Sequence, residues 1–462
     1  MSRHPPALLL AGAALLVAWA SPPPRFDQAA ADAVAAEVLA RAPSAGLTIA
    51  VERRGEVLFA RGYGLANVKD RVEASGETVY PICSISKNFA AAAVLKLVEQ
   101  GRVVRDAPAA RYLPGVAGLS PEITVDELLN HSSGLGSYNE GAGWDAVAAR
   151  AIPRGEMLAR IASAPRVPPG REWGYSNSAY YLAGGLVENV SGKSYWEFLE
   201  EEFFRPLGMR HARPCAEVEV SARARGYRAE KGSLVGAETE NWWNPFAGGG
   251  LCMTSRDLLA WEAALDSGRI LSAESVRAMR TPTRFPDGRR YDYGLGTRMG
   301  TFEGHPVVGH TGGGQGFSTV LMRFPEDGLT VVVLKNFSGG PAAATIAARL
   351  TRRLLGLPGF APRGGAPPAG VLSAVAGDWI GDDGPFRLAT RDGKLAVELP
   401  GGAAPFESPW MGGTTFAAGE EETARFEVAN GRSGRASVYG GGLFESVIRR
   451  TKPGPGIVSR NP

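Results

Sequence analysis

The stretch Pro81-Ile82-Cys83-Ser84-Ile85-Ser86-Lys87-Asn88-Phe89 constrains this chain more than any other, because it leads into an apolar helical run at 89–98 that ends near Gly101. A helix beginning at Ser84 places Ser84 and Lys87 one turn apart on the same face, close enough for an amine to take a proton from a hydroxyl. Ser84 then also lies at the positive end of the helix dipole, where an alkoxide is least unfavourable. An activated serine nucleophile needs that combination. The same four residues are also compatible with a helix cap followed by a solvated lysine, so the rest of the chain has to decide.

At 462 residues there is room for two domains, and 44% hydrophobic with 21% charged residues is ordinary for a soluble globular protein. The formal charge of +3 comes from scattered arginines with no block of like sign, so no nucleic-acid or anionic-membrane partner is expected. Arg3 and His4 precede an apolar run at 7–19, and Ala18-Trp19-Ala20 offers small residues at the two positions a signal peptidase reads. The run is shorter than the roughly 20 residues a bilayer span requires. Residues 1–20 therefore read as a signal peptide cleaved after Ala20, without a lipid anchor or a later membrane helix, and the protein is expected in the periplasm or secreted.

Three cysteines in an oxidising compartment leave at least one thiol over, unless it pairs between molecules. Cys215 and Cys252, in Pro- or Gly-flanked sequence, are the expected disulfide, and Cys83 is expected as a buried free thiol beside the serine. None of the five histidines has zinc-ligand spacing, so neither a metal nor another cofactor is expected.

Periodicity predicts a helix at 27–42, then strands at 47–51 and 57–60 joined across Arg53-Arg54-Gly55. After the Ser84 helix comes a long helical and loop-rich region to about residue 285, including a helix at 194–204 stopped by Pro206. Strand signals return at 293–298, 305–309, 318–324 and 329–334, followed by a helix at 342–355. Hairpins at both ends with helices between them predict an α/β chain of the α+β kind, one antiparallel sheet flanked by helices, with an all-helical subregion. The catalytic domain is placed at 21–356 and a Pro/Gly/Ala-rich linker at 357–372. Short strands at 386–389, 395–399, 414–418, 425–428, 436–439 and 444–448, with Asn430-Gly431 as a hairpin turn, predict a small antiparallel barrel at 373–452.

Two further motifs bear on Ser84. Gly174-Tyr175-Ser176-Asn177-Ser178 precedes a helical stretch, and a phenol and an amide two residues apart can enter one pocket, one relaying a proton and the other orienting a carbonyl. A plain turn and helix cap is the simpler reading of these residues alone. His310-Thr311-Gly312-Gly313-Gly314 follows a strand, and its glycines allow close approach of a substrate to backbone N–H groups that can hold an oxyanion.

In this order the three motifs resemble the penicillin-recognising serine hydrolases, the group of class C β-lactamases, DD-peptidases and family VIII esterases. The likeness extends to Ile123-Thr124 with Leu128-Leu129-Asn130-His131-Ser132-Ser133-Gly134-Leu135, to Pro206-Leu207-Gly208-Met209, and to Gly249-Gly250-Leu251 ahead of Ser255-Arg256-Asp257-Leu258, and covers roughly residues 27–355. The resemblance implies Ser84 as the acylated nucleophile, Lys87 as its proton acceptor and Tyr175 as the proton relay. It implies an oxyanion hole from the N–H groups of Ser84 and Gly313, and substrate contacts from Asn177, His310, Thr311 and Tyr138. Trp242 and Trp243 could line the cleft or simply pack.

His310 departs from the lysine usual in the third motif, as in several esterase and D-aminopeptidase relatives, and Gly313 stands where β-lactamases usually have serine. The resemblance therefore implies hydrolysis of short-chain esters or D-amino-acid amides and peptides with weak β-lactam turnover. The alternatives are a slow penicillin-binding or sensor protein and a true class C β-lactamase. The C-terminal segment resembles the lipocalin-like barrel appended to some relatives. A Ser-His-Asp hydrolase would need a G-x-S-x-G elbow, which the sequence lacks.

Overall fold

Glycine at a two-residue turn is what starts the sheet. Arg54 and Gly55 both take left-handed backbone angles (φ 51° and 86°), the geometry of a tight hairpin turn, and join strand β1 (Gly46–Arg53) to β2 (Glu56–Asn67). The computed structural model describes residues 28–40, 43–116, 118–140, 143–360, 366–368, 370–381, 384–399, 405–419, 422–429 and 432–451. The expected signal peptide, the Asn430-Gly431 turn and part of the linker lie outside them.

Helix α1 (Gln28–Ala40) precedes the hairpin, and helices α2 (Ser86–Glu99) and α3 (Asn177–Ser191) follow it. The late strands are β3 (Arg298–Phe302), β4 (His305–Gly314), β5 (Phe317–Phe324) and β6 (Leu329–Lys335), before helix α4 (Ala343–Leu354). All pair antiparallel in the order β3-β4-β5-β6-β1-β2, so both ends of the region complete one sheet.

The two-residue period of a strand decides which core each side chain enters. Leu47, Ile49 and Val51 of β1 join Val331 and Val333 of β6 on the face covered by α1 and α4. Ala50, Val332 and Leu334 point the other way, into the core around α2. That helix is buried over residues 86–95, and Ala90 to Ala93 let its neighbours approach closely. Phe89 stacks on Trp261 with ring centroids 4.1 Å apart, and trimming a fully buried phenylalanine to alanine costs about 3–5 kcal/mol. Asn88, also buried, accepts a hydrogen bond from Trp261 Nε1 (2.7 Å) and donates to Thr297 Oγ1 (3.0 Å).

The region expected as a strand at 293–298 is instead a tight loop, with a single bridge between Tyr293 and Arg298 before β3 begins. Tyr293, Leu295 and Thr297 alternate as a strand would, but Gly296 is left-handed (φ 66°) and pressed against α2. A Cβ on Gly296 would sit 2.6 Å from the carbonyl oxygen of Lys87. The helix expected at 194–204 is interrupted by a π-turn over Glu200–Phe204.

The C-terminal strands are β7 (Gly377–Gly381), β8 (Gly384–Arg391), β9 (Lys394–Glu398), β10 (Phe406–Ser408), β11 (Trp410–Gly412), β12 (Thr415–Gly419), β13 (Glu422–Ala429), β14 (Arg432–Gly440) and β15 (Leu443–Arg450). Ladders run from β15 through β7, β8 and β9 to β10, and in the other direction through β14, β13 and β12 to β11. The two runs meet at Pro409, whose carbonyl accepts from the N–H of Ala417 (2.8 Å). Trp379, Leu388, Leu395, Phe416 and Phe426 fill the interior. Leu443 of β15 pairs with Gly300 of β3, joining these strands to the main sheet. Among the described residues no helix is long and apolar enough to cross a membrane.

Candidate active site

Ser84 lies in a 3₁₀ turn, Cys83–Ile85, and the α-helix proper starts two residues later than the spacing alone suggests. The turn is entered through Cys83 at φ 50°, a left-handed angle that a non-glycine residue adopts only under local constraint. A short ladder supplies that constraint: Tyr80 and Pro81 pair with Met253 and Cys252. Cys252 is joined to Cys215 by a disulfide with Cα atoms 4.8 Å apart, so the crosslink buttresses the strand that delivers the serine. Cys83 is free and buried, and burial pushes its thiol up to about 12.

Lys87 points back along α2 into the same space. Its Nζ is 3.2 Å from Ser84 Oγ, 2.9 Å from Asn177 Oδ1 and 2.7 Å from the carbonyl oxygen of Gly248. The side chain is fully buried. Burial lowers its pKa, the nearby Tyr175 phenol opposes that shift, and the Arg298 guanidinium adds to it. A neutral amine can donate its two N–H bonds to Asn177 and Gly248, which aims the remaining lone pair at the serine hydroxyl.

The Tyr175 to Asn177 segment is both a cap and a functional loop. Ser176 caps α3 by accepting the N–H of Ala179 (3.1 Å), leaving Asn177 to line the cleft and Tyr175 to lie beside Lys87. The N–H of Ser176 is held by His131 Nδ1 (3.0 Å), which gives the histidine of the Leu128–Leu135 stretch a positioning part. Asn177 donates to Asn139 Oδ1 (3.0 Å), and its own N–H is taken by Ser137 Oγ (2.9 Å). The Tyr175 ring centroid is 4.8 Å from Lys87 Nζ and 5.6 Å from Arg298 Cζ.

A cleft of about 150 Å³ opens at the serine, and Ser84, Tyr138, Asn177, Trp242 and Gly313 all line it. Tyr138 is buried and donates its hydroxyl to the carbonyl of Asn244 (3.2 Å), whereas Trp243 is exposed. Gly312 allows β4 to lie against the nucleophile turn: a Cβ there would fall 2.4 Å from Thr319 Oγ1 and 2.5 Å from the carbonyl oxygen of Ile82.

His310 and Thr311, adjacent in β4, have different surroundings. His310 is fully buried, with Nε2 3.0 Å from the Tyr293 hydroxyl and Nδ1 2.5 Å from the carbonyl oxygen of Thr311. The carbonyl can only accept, so Nδ1 carries the proton and both ring nitrogens are occupied. Burial holds His310 and His131 well below the ordinary histidine pKa, and the Lys87 and Arg298 charges push the same way. Thr311 donates to Glu445 Oε2 (3.0 Å), a residue of β15.

Sequence reasoning does not single out Gly248, Asn139, Arg298 or Glu445. Gly248 adjoins the Gly249-Gly250-Leu251 motif, a signal that stops one residue short. Arg298 and Glu445 carry none.

A serine facing a buried amine, on a helix packed against an antiparallel sheet whose glycine-rich strand borders it, defines a mixed α/β protein of the penicillin-binding and β-lactamase fold. The chain belongs to the Beta-lactamase family, whose sequence signature matches residues 31–355. It is 29% identical over 344 residues to a D-aminopeptidase of Brucella anthropi, covering 72% of this chain and 64% of that protein, so it spans just under two thirds of the relative's length. Among solved structures, the octameric penicillin-binding protein homologue from Pyrococcus abyssi matches with a TM-score of 0.63 and 26% identity, covering 92% of this chain and 100% of that one. A D-stereospecific amidohydrolase from Streptomyces sp. matches with a TM-score of 0.61 and 26% identity over 71% of this chain and 98% of that one.

Proposed function

We propose that the chain is a serine hydrolase that opens the amide bonds of D-amino-acid amides and short D-peptides, and short-chain esters, through an acyl-enzyme on Ser84. The observation that carries this reading is the Lys87 amine, fully buried and 3.2 Å from Ser84 Oγ with two other acceptors already in place. Neutral Lys87 accepts the hydroxyl proton as Ser84 Oγ attacks the substrate carbonyl. The N–H groups of Ser84 and Gly313 stabilise the oxyanion. Tyr175, beside the amine, passes the proton to the leaving amine or alcohol and later draws one from the water that releases the acid. Asn177 orients the substrate carbonyl, and Tyr138 bounds the acyl side of the cleft.

The likeness to a D-aminopeptidase and to a D-stereospecific amidohydrolase supports the amide reading. A neutral, buried His310 supports poor β-lactam turnover, because it offers no cation to the β-lactam carboxylate. Export through residues 1–20 agrees with a disulfide at Cys215 and Cys252. The test is intact mass and peptide mapping after a fluorophosphonate, with kcat/KM for p-nitrophenyl butyrate, D-alanine amide and nitrocefin on one preparation. An adduct on Ser84 with amide or ester turnover is expected. An adduct elsewhere removes the mechanism, and a nitrocefin value far above the other two replaces it with a β-lactamase.

A further inference from the structure

We infer that Glu445 plugs the carboxylate-binding end of the Ser84 cleft, so that substrates bearing a carboxylate on the part lying along β4 are turned away. The inference rests on the cleft's being the acyl-transfer site proposed above. Thr311 and Gly313 are alternate residues of β4 and share a face, about 7 Å apart by the rise of a strand. A substrate held at Gly313 and running along β4 therefore meets Thr311 next. There the Thr311 hydroxyl donates to Oε2 of Glu445 (3.0 Å), and the Arg298 guanidinium forms an ion pair with the same oxygen, its Nη1 3.0 Å away.

A guanidinium and a hydroxyl aimed at a single point are how proteins hold a carboxylate. In this chain the carboxylate is its own. The Arg298 side chain is 8% exposed and that of Glu445 27%, so the pair is closed on the arginine side and reachable on the glutamate side.

The arm carrying Glu445 is fixed rather than free to swing. Arg298 Nη1 also donates to the carbonyl oxygens of Phe444 (2.6 Å) and Glu445 (2.5 Å). The Phe444 ring packs edge-on against Trp173 with centroids 4.9 Å apart, and Leu443 pairs with Gly300. A second carboxylate would have to share the Thr311 hydroxyl and the Arg298 charge with Glu445 and face its charge, whereas a neutral amide or ester meets no such repulsion. Specificity against one substrate class then comes from a repulsive group supplied by the C-terminal strands.

The experiment compares full-length wild type, Glu445→Ala and Glu445→Gln, using kcat/KM for D-alanyl-D-alanine over that for D-alanyl-D-alanine amide. The ratio is expected to rise about tenfold or more in Glu445→Ala, mainly through KM, and less in Glu445→Gln, which keeps an acceptor for Thr311. Added acetate should take the place of the lost carboxylate beside Thr311 and Arg298 in Glu445→Ala and bring the ratio back toward wild type, which a purely structural glutamate would not show. An unchanged ratio in both variants overturns the inference. If no form turns over any substrate, the acyl-transfer reading fails, and calorimetric titration with acetate decides this one: binding to Glu445→Ala alone upholds it, and equal or absent binding in both overturns it. Should Glu445→Ala not fold, the Glu445→Gln ratio decides alone.

Discussion

Lys87 in the first turn of α2 and Lys335 at the end of β6 are both buried amines, and burial lowers the pKa of each, Lys335 to about 8. Their neighbours differ. Lys335 Nζ donates to the carbonyl oxygens of Gly339 (2.9 Å) and Pro341 (2.8 Å) and lies 4.4 Å from the centroid of the Phe337 ring. Lys87 also meets a carbonyl and an amide oxygen, but its third direction meets a hydroxyl at 3.2 Å. Burial alone yields an amine that is easily deprotonated. Only a proton donor within reach turns that amine into a base, and the Cys83–Ile85 turn provides one.

The largest expected effect breaks the Lys87 side of this comparison at its partner. Ser84→Ala should lower kcat on D-alanine amide by about 10⁴-fold or more and abolish fluorophosphonate labelling by intact mass, because the amine then has nothing to deprotonate. Lys87→Ala should cost about 10²–10⁴ in kcat, and Tyr175→Phe a loss within the same range. Lys335→Met should change kcat less than about threefold. Equal losses at the two lysines would mean that burial, and not the neighbouring hydroxyl, sets their importance.

A pH profile sharpens the contrast. The base must be neutral, so kcat/KM should rise as Lys87 loses its proton, at a pH below the ordinary lysine value of about 10.4 because burial depresses it. Lys87→Ala should lose that limb, and Lys335→Met should keep it.

The smallest effects concern stability. Lys335 is deprotonated near pH 8 in the fold but only near 10.4 when unfolded, so between these values the unfolded chain binds more protons and stability rises with pH. The difference in denaturant midpoint between wild type and Lys335→Met should therefore shift in favour of wild type from pH 8 to pH 10. At the acid end, His131 and His310 are held neutral, and the unfolded chain takes up protons below about 6.5. Stability should fall as pH drops through that value, and His310→Gln should soften the fall.

What the sequence disclosed and what it hid divide along the distance over which each feature is determined. Ser84 and Lys87 are three residues apart, so helical spacing alone brings them together, and Tyr175 and Asn177 flank a cap that their own tripeptide encodes. The β1–β2 hairpin and the later β5–β6 pair were legible for the same reason: alternation and a turn residue are local. His310 reads as a substrate contact in a three-residue motif, but in the fold it is buried against Tyr293, which lies in a loop that alternates like a strand.

Gly296 bends that loop because of α2, some 200 residues earlier in the chain. Strand β7 carries no strand signal because Gly377, Asp378 and Gly381 leave only Trp379 and Ile380 as strand-favouring residues. Glu445 and Arg298 stand 147 positions apart, and no spacing rule joins them.

The single bridge from Leu443 to Gly300 bears on how the molecule can be dissected. Cutting the chain near residue 356 would do more than shorten it. Strand β3 would become a bare sheet margin, with unpaired backbone donors and acceptors open to another copy's strand, which invites aggregation. Arg298 would lose the Glu445 carboxylate and the two backbone carbonyl oxygens, of Phe444 and Glu445, that its guanidinium now meets. A minimal catalytic fragment of this protein should therefore be engineered with a substitute cover for β3, or else retain the C-terminal strands.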